Sequence, residues 1–582
     1  MRTASGFSRT SGQVFIAVKT KEPKETNMQC FQSRLKPISL AIILCTTLAA
    51  CGGGGSSDTS SSSTTTAGAV SLATTATSSS SSSISAALYN VDGYAKVAGV
   101  TGGGVISETA STYAKVTTPL EFLAAISKVK SGAVKVIEIA NDLNLGYNEV
   151  GGSTVESTYS FFTANATALE HPTLKTSGVS KITIQNFAGL TIYSKNGATI
   201  KHAELNIKTG SNLIIRNLKF DEMWEWDEDT KGNYDTNDWD YITIGDTSSA
   251  TGGIWIDHCT FYKVYDGIVD IKKGASIVGS TTAATQAANG ITISWSKSLP
   301  GDSSSGAFIK AQFDALEAMA ATTGSSGNTM YKFLRNYLTE AQIIQIASTQ
   351  KKGHLIGATS LGEKTGYTVT LHHDLYQDLQ DRMPRLRSGD VQVFNLYADA
   401  SNARVIKQWY DAIVAANATL KAKVNPDTGD ATYHFGITSN GSISTEGGMV
   451  QVTNSFYKGV QTPLRNNQQC TDNTCSSYTG GIVATGTRHE LLSSSDSAYM
   501  ASPQGTYTDT LGTWMYWAGA SSDTGSSLGP IQATPITFAW HNGTPPTPLN
   551  LHAATDLPTL LTNYAGAGTV SLTAAQWMNA NN

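Results

Sequence analysis

Two pairs of aspartates have spacings that could do chemistry. Asp238 and Asp240 lie two apart in "NDWDYITI", and Asp266 and Asp270 lie four apart in "YDGIVDIKKG". In an extended chain, residues an even number apart share a face, so each pair would present its carboxylates together. Taken alone, such acids read first as solvated loop residues. Gathered on neighbouring elements they would need a cation, and oxygen donors without Cys or clustered His favour Ca²⁺ over zinc. Basic residues extend the set: Lys352 in "KKGHLIG", and Arg382, Arg385 and Arg387 around Pro384 in "QDRMPRLRSG". Guanidinium is the natural fork for a carboxylate. Basic groups near a carboxylate–cation site therefore point to an anionic substrate. Arg382 and Arg387 are an odd number of residues apart, which a straight strand would send to opposite faces. If both reach one ligand, the chain must bend between them, and Pro384 is placed to interrupt the ladder there.

The elements available to position these residues are short strands. "GLTIYS", "NLIIRNLKF", "YITIGD", "GIWIDHCTF", "GITISWSKS", "YTVTLHHDLY", "VQVFNLYA" and "MVQVTNSFY" alternate β-branched or aromatic residues with polar ones. Their recurrence, with loops between, predicts a stacked all-β solenoid, with a sandwich or jelly roll as the alternative. Residues 306–347 break the pattern. Phe308, Phe313, Leu316, and then Met330, Phe333, Tyr337 and Ile344, fall at helical spacing around the breaker "GSSGN". This predicts a helical hairpin inserted between coils, placed just before Lys352 and so expected to border the cleft. Trp224, Trp226 and Trp239, with Asp227, Glu228 and Asp229, form an aromatic–acidic loop suited equally to stacking sugars, to supplying further ligands or to packing. Asp257 and His258 read as a structural hydrogen-bond network. His372 and His373 lie in an alternating strand that can turn only one of them outward, with no metal-ligand spacing around them.

Composition narrows the function. Among 582 residues there are 54 glycines, and the net charge is −5. Residues 1–50 read as a signal segment, with basic Arg34 and Lys36 before the apolar run "ISLAIILCTTLAA", which is too short to span a membrane. Met28 by itself starts a conventional signal. The sequence "LAAC" resembles a bacterial lipoprotein signal, which implies lipidation of Cys51, an exported product and, with Gly52 following, the outer membrane or cell surface; an ordinary cleaved signal and a secreted product are the alternative. The chain from Cys51 onward holds 33 basic and 43 acidic residues, a net charge of −10, a poor match to nucleic acid. Residues 51–83 are a Ser/Thr/Gly-rich tether, and 84–582 have a globular composition. Cys470 and Cys475 could close a small disulfide loop, and Cys259 reads as a buried apolar residue.

Taken in order, "IWIDHCTF", "YDGIVDIKKGAS", "ITISWSKS", "KKGHLIGATS", "VTLHHDLYQDLQDRMPRLRSGDVQVFNLYA" and "LPTLLTNYAGAG" resemble polysaccharide lyase family 1, the pectate lyases. The resemblance spans roughly residues 182–568. It implies a right-handed parallel β-helix, a monomer, that cleaves polygalacturonate by β-elimination with Ca²⁺. By the same resemblance, Asp238, Asp240, Asp266 and Asp270 match the calcium ligands. Lys352 and Arg387 match substrate-binding residues that take part in catalysis, and Arg382 matches the proposed catalytic base. Arg385 matches no catalytic position. Pectin lyase, acting on methylated polymer without calcium, is the nearest alternative, although all four acids are present. A β-helical polygalacturonase would not need the Lys352/Arg382/Arg387 set. A surface β-helix that only binds glycan is the non-catalytic alternative.

Overall fold

The alternating strands stack. The computed structural model describes residues 90–150, 156–157, 178–226, 239–245, 251–272, 288–322, 329–357, 366–426, 433–445, 448–466, 480–490, 510–518 and 539–580. These belong to one compact unit, Thr77–Asn582; the other, Met1–Ala76, lies outside the described residues, and so do Cys51, Asp238, Cys470 and Cys475.

Each coil contributes a strand to each of three faces. The first face runs through Ile242–Ile244, Val269–Ile271, Leu355–Ile356, Arg385–Leu386 and Asn440–Ser444. The second runs through Gly252–Asp257, Asn289–Ser294, Thr368–His372, Asp390–Phe394 and Met449–Thr453. The third runs through Thr260–Phe261, Lys297–Ser298, Leu375–Gln377 and Tyr397–Asp399. These pairings are all parallel, which makes the fold a parallel β-helix. In register, identical positions of successive coils bury like residues: Ile254, Ile291, Val369, Val391 and Val450 form one inward stack. The bend from second to third face falls on a left-handed residue in coil after coil: Asn217, His258, Trp295, His373, Asn395 and Asn454. Each such N–H donates to a carbonyl of the next coil, for example His258 to Ser294 at 3.0 Å and Trp295 to His372 at 3.1 Å. That bond satisfies a backbone group which the turn would otherwise strand.

Fully buried Asp257 accepts from Arg216 Nε at 2.8 Å and Ser294 Oγ at 2.7 Å, and it pairs with His258 Nδ1 at 2.7 Å. Arg216 stacks 4.3 Å over Trp255 and donates to the carbonyl of Gln576 at 2.9 Å. The "WIDH" segment is thus an internal polar knot that ties the C-terminal segment to the coils. An Asp257→Ala variant would leave the Arg216 guanidinium buried without its counter-charge. It is expected to lose about 3–5 kcal/mol in urea unfolding; a loss indistinguishable from zero would refute the knot.

Two expectations need correction. His372 and His373 are both buried, because His373 occupies the left-handed turn position where strand alternation ends. They bond to each other (Nδ1···Nδ1, 2.9 Å), and His373 Nε2 reaches His552 Nδ1 at 2.9 Å. Among its described residues the insert has three helices rather than two: Phe308–Thr322, Thr329–Arg335 and Glu340–Ser348. A capping box between Thr339 and Gln342 starts the third. Helices outside the insert, Pro119–Val129 and Ser401–Ala416 among them, were not anticipated. The first carries a legible signal, Thr118 capping against Glu121 with Pro119 in the first turn.

Candidate active site

The first face carries the chemistry at the turns entering its strands. Val269 and Ile271 point into the core, so Asp270 between them points out. Asp240 precedes Ile242–Ile244, and Asp266 lies in the turn before Val269–Ile271. Strand parity therefore does not align them; the turn does. Gly267 N–H donates to Asp240 Oδ1 at 2.9 Å, and Leu355 N–H donates to Asp270 Oδ1 at 3.1 Å. A Cβ on Gly267 would fall 2.7 Å from Asp240 Oδ1 and 2.8 Å from Asp270 Oδ1, so only glycine lets these carboxylates close in. One oxygen from each of Asp240, Asp266 and Asp270 lies within 4.8 Å of the others, and all three residues are buried. This donor set, all hard oxygen at that spacing, fits a calcium-sized cation. Burial raises the pKa of Asp240 well above the usual carboxylate range, and the Asp270 charge adds to it.

Lysines offset part of this charge. Lys272 Nζ stands 3.2 Å from Asp240 and 3.5 Å from Asp270, and Lys352 Nζ pairs with Asp266. Lys263, fully buried with its Nζ 5.6 Å from the centre of the Trp224 ring, has its pKa pushed down to about 7 by burial, with Lys352 adding to the shift. Nothing in its spacing marked it as part of this region.

On the next coil, Gln350–Lys352 pairs in parallel with Leu379–Asp381, which sets Lys352 opposite Asp381. The chain then turns at Arg382, whose backbone is left-handed at φ 64°, and Arg385–Leu386 joins the first face. The bend expected between the arginines is thus placed at Arg382 itself, next to the cis Met383–Pro384 bond. Gly353 makes room for it: a Cβ there would meet the Arg382 carbonyl oxygen at 2.3 Å. Arg382 is half-buried, and its Nε and Nη1 are shielded from solvent without a hydrogen-bond partner among the described residues. Burial lowers its pKa, but Asp266, Asp270, Asp381 and Asp240 outweigh burial and raise it overall. Arg387 follows the strand, with its Cβ beside Gly357. Leu386 points into the core, so Arg385 and Arg387 share the outward side.

The tryptophan loop packs and does not stack sugars along its described part. Trp224, Trp226 and Trp239 are all buried. Trp226 meets Phe313 and Tyr331 of the insert at 5.4 and 6.0 Å, while Gln312 bonds both the Trp226 N–H and the Trp224 carbonyl. Asp227, Glu228 and Asp229 lie outside the described residues. The last insert helix runs directly into the strand that carries Lys352.

The pectate lyase family model matches residues 337–513. The chain is 48% identical over 380 residues to pectate lyase B of Paenibacillus amylolyticus, covering 64% of this chain and 87% of that protein. It is 28% identical over 207 residues to a pectate trisaccharide-lyase of Thermotoga maritima, covering 35% of this chain and 38% of that one. The solved structure of a pectate lyase from Paenibacillus sp. 0602 superposes with a TM-score of 0.66 at 39% identity, over 85% of this chain and 100% of that one. Fold and relatives together define a polysaccharide lyase. The chain belongs to the pectate lyase family.

Proposed function

We propose that the enzyme is a calcium-dependent pectate lyase that cleaves (1→4)-α-D-galacturonan by β-elimination and releases 4,5-unsaturated oligogalacturonides. The observation that carries this reading is the convergence of buried Asp240, Asp266 and Asp270, with Lys352 paired to Asp266 and Arg382 within reach of the charge of all three. Asp238 is assigned to the same ligand set from its sequence position. When bound, the cation neutralises carboxylate charge in the site and on the substrate. Lys352, relieved of Asp266, takes a galacturonate carboxylate and so helps to acidify the adjoining C5 proton. Arg387 holds a second uronate carboxylate. Arg382, as the neutral guanidine, approaches C5 and accepts its proton; the electron pair of the C5–H bond forms the 4,5 double bond as the C4–O bond breaks, and the departing oxygen of the neighbouring sugar takes a proton from water. A guanidine base requires neutralised surroundings, since free guanidinium titrates above about 12; an alkaline optimum follows.

Incubating the protein with polygalacturonate is expected to raise the ultraviolet absorbance of the new double bond, and EDTA is expected to abolish the rise. New reducing ends without absorbance would instead identify a hydrolase, and absorbance indifferent to EDTA would identify the pectin-lyase mode. We further propose that the enzyme is exported and anchored at the outer membrane through Cys51, acting there as a monomer. Fatty-acid labelling of the expressed chain that persists in Cys51→Ser would refute the anchor.

A further inference from the structure

We propose that Gln350 is a positioning residue that fixes the separation between the Asp266 turn and Lys352. This rests on the reading of Asp266 and Lys352 given above. Gln350 is fully buried and stands two residues before Lys352 in the strand Gln350–Lys352. Its side chain spans the gap between coils. Oε1 accepts the Val264 N–H at 2.8 Å, while Nε2 donates to the carbonyls of Asp266 at 3.1 Å and Lys352 at 2.8 Å.

The turn 264–266 is tied to the preceding coil by backbone bonds from Tyr265 to Met223 and from Asp266 to Trp239, each 3.0 Å. Towards the following coil, the Gln350 amide ties the backbone of this turn, beside the Lys352–Asp266 side-chain pair. A primary amide suits this place because it offers one acceptor group and two donors. Methionine offers neither donor, and an ionised glutamate would set an oxygen against two carbonyls. The device recurs one coil on. Buried Gln380, two residues before Arg382, donates to Thr349 Oγ1 and accepts from the Thr438 N–H at 3.0 Å. Glutamines thus staple the turns that carry Asp266, Lys352 and Arg382 to their neighbouring coils.

The test compares Gln350→Met and Gln350→Glu with Gln392→Met in the full chain. Gln392 is a buried glutamine on the second face whose Nε2 donates to the Pro546 carbonyl, away from the site. Calcium affinity is measured by calorimetry without substrate, kcat and KM on polygalacturonate, and Tm in parallel. Q350M is expected to weaken calcium binding and lower kcat by about 10–100-fold, the usual cost of losing a group that orients a ligand. Q392M is expected to keep both, whatever it does to Tm. Unchanged affinity and kcat in Q350M, or an equal loss in Q392M, would overturn the proposal. Should Q350M not fold, Q350E decides on the same criteria. Hydrogen exchange at the Val264 amide of the unaltered protein decides independently, since rapid exchange there would mean no staple. An unaltered chain that neither binds calcium nor forms double bonds would overturn the underlying reading of the site instead.

Discussion

Arg382→Ala is expected to lower turnover of polygalacturonate by about 10²–10⁴-fold, the range for losing a general base, while the β-helix stays folded. The side chain enters the site from a turn made by its own left-handed backbone, and among the described residues Nε and Nη1 have no hydrogen-bond partner to lose. Its structural ties are backbone ones: the Arg382 carbonyl accepts from His354 N–H at 2.8 Å, and alanine preserves that bond. The electrostatic consequence has a definite sign. Asp266, Asp270, Asp381 and Asp240 raise the Arg382 pKa, so the charged guanidinium stabilises these acids in the cation-free protein. Removing it should lower Tm in EDTA and increase the stabilisation that calcium brings. An Arg382→Lys variant separates charge from geometry: restored Tm without restored turnover is expected, because lysine is a point charge and not a planar fork. Normal turnover in Arg382→Ala would remove the assigned base.

The second large effect concerns Asp240. Burial, with Asp270 beside it, raises its pKa well above the usual carboxylate value. A carboxyl whose folded pKa is raised binds its proton more tightly in the folded chain than in the unfolded one. Its contribution therefore makes stability fall as pH rises from the ordinary aspartate value, near 3.9, to the raised folded value, with the full loss present above it. In EDTA at alkaline pH, Asp240→Asn should consequently melt no lower than the unaltered chain, and its stability should decline less between acid and neutral pH. In calcium the order reverses. A bound cation at about 100 times its Kd stabilises by about 2.7 kcal/mol, a gain that Asp240→Asn should largely forfeit together with lyase activity. Equal calcium stabilisation of both proteins would rule Asp240 out as a ligand.

The strands were legible because period-two alternation is a local property, and stacks such as Ile254, Ile291 and Val369 follow from it once the coils align. The acids and bases were legible as types in order. Their convergence was not. Asp266 and Asp270 meet Asp240 through a turn, and the strand parity used to pair them does not operate there. The small residue that permits the approach, Gly267, looks in the sequence like any other glycine. Trp224 and Trp226 offered sugar-stacking and packing equally, and the choice fell to the insert residues Gln312 and Phe313. Gln350 carried no signal at all, since its partners Val264 and Asp266 lie 86 and 84 residues away.

The sequence by itself determined the solenoid, the family resemblance and the chemical types available for binding an acidic sugar polymer, because each is written in local pattern or in the order of short motifs. The tertiary structure alone decided which carboxylates share one site, how Arg382 turns towards them and why His372 and His373 are both buried. The physical reason is common to all three. A coil's turns are shaped by contacts with the coils above and below, and a contact between residues far apart in the chain leaves no periodic trace in either segment.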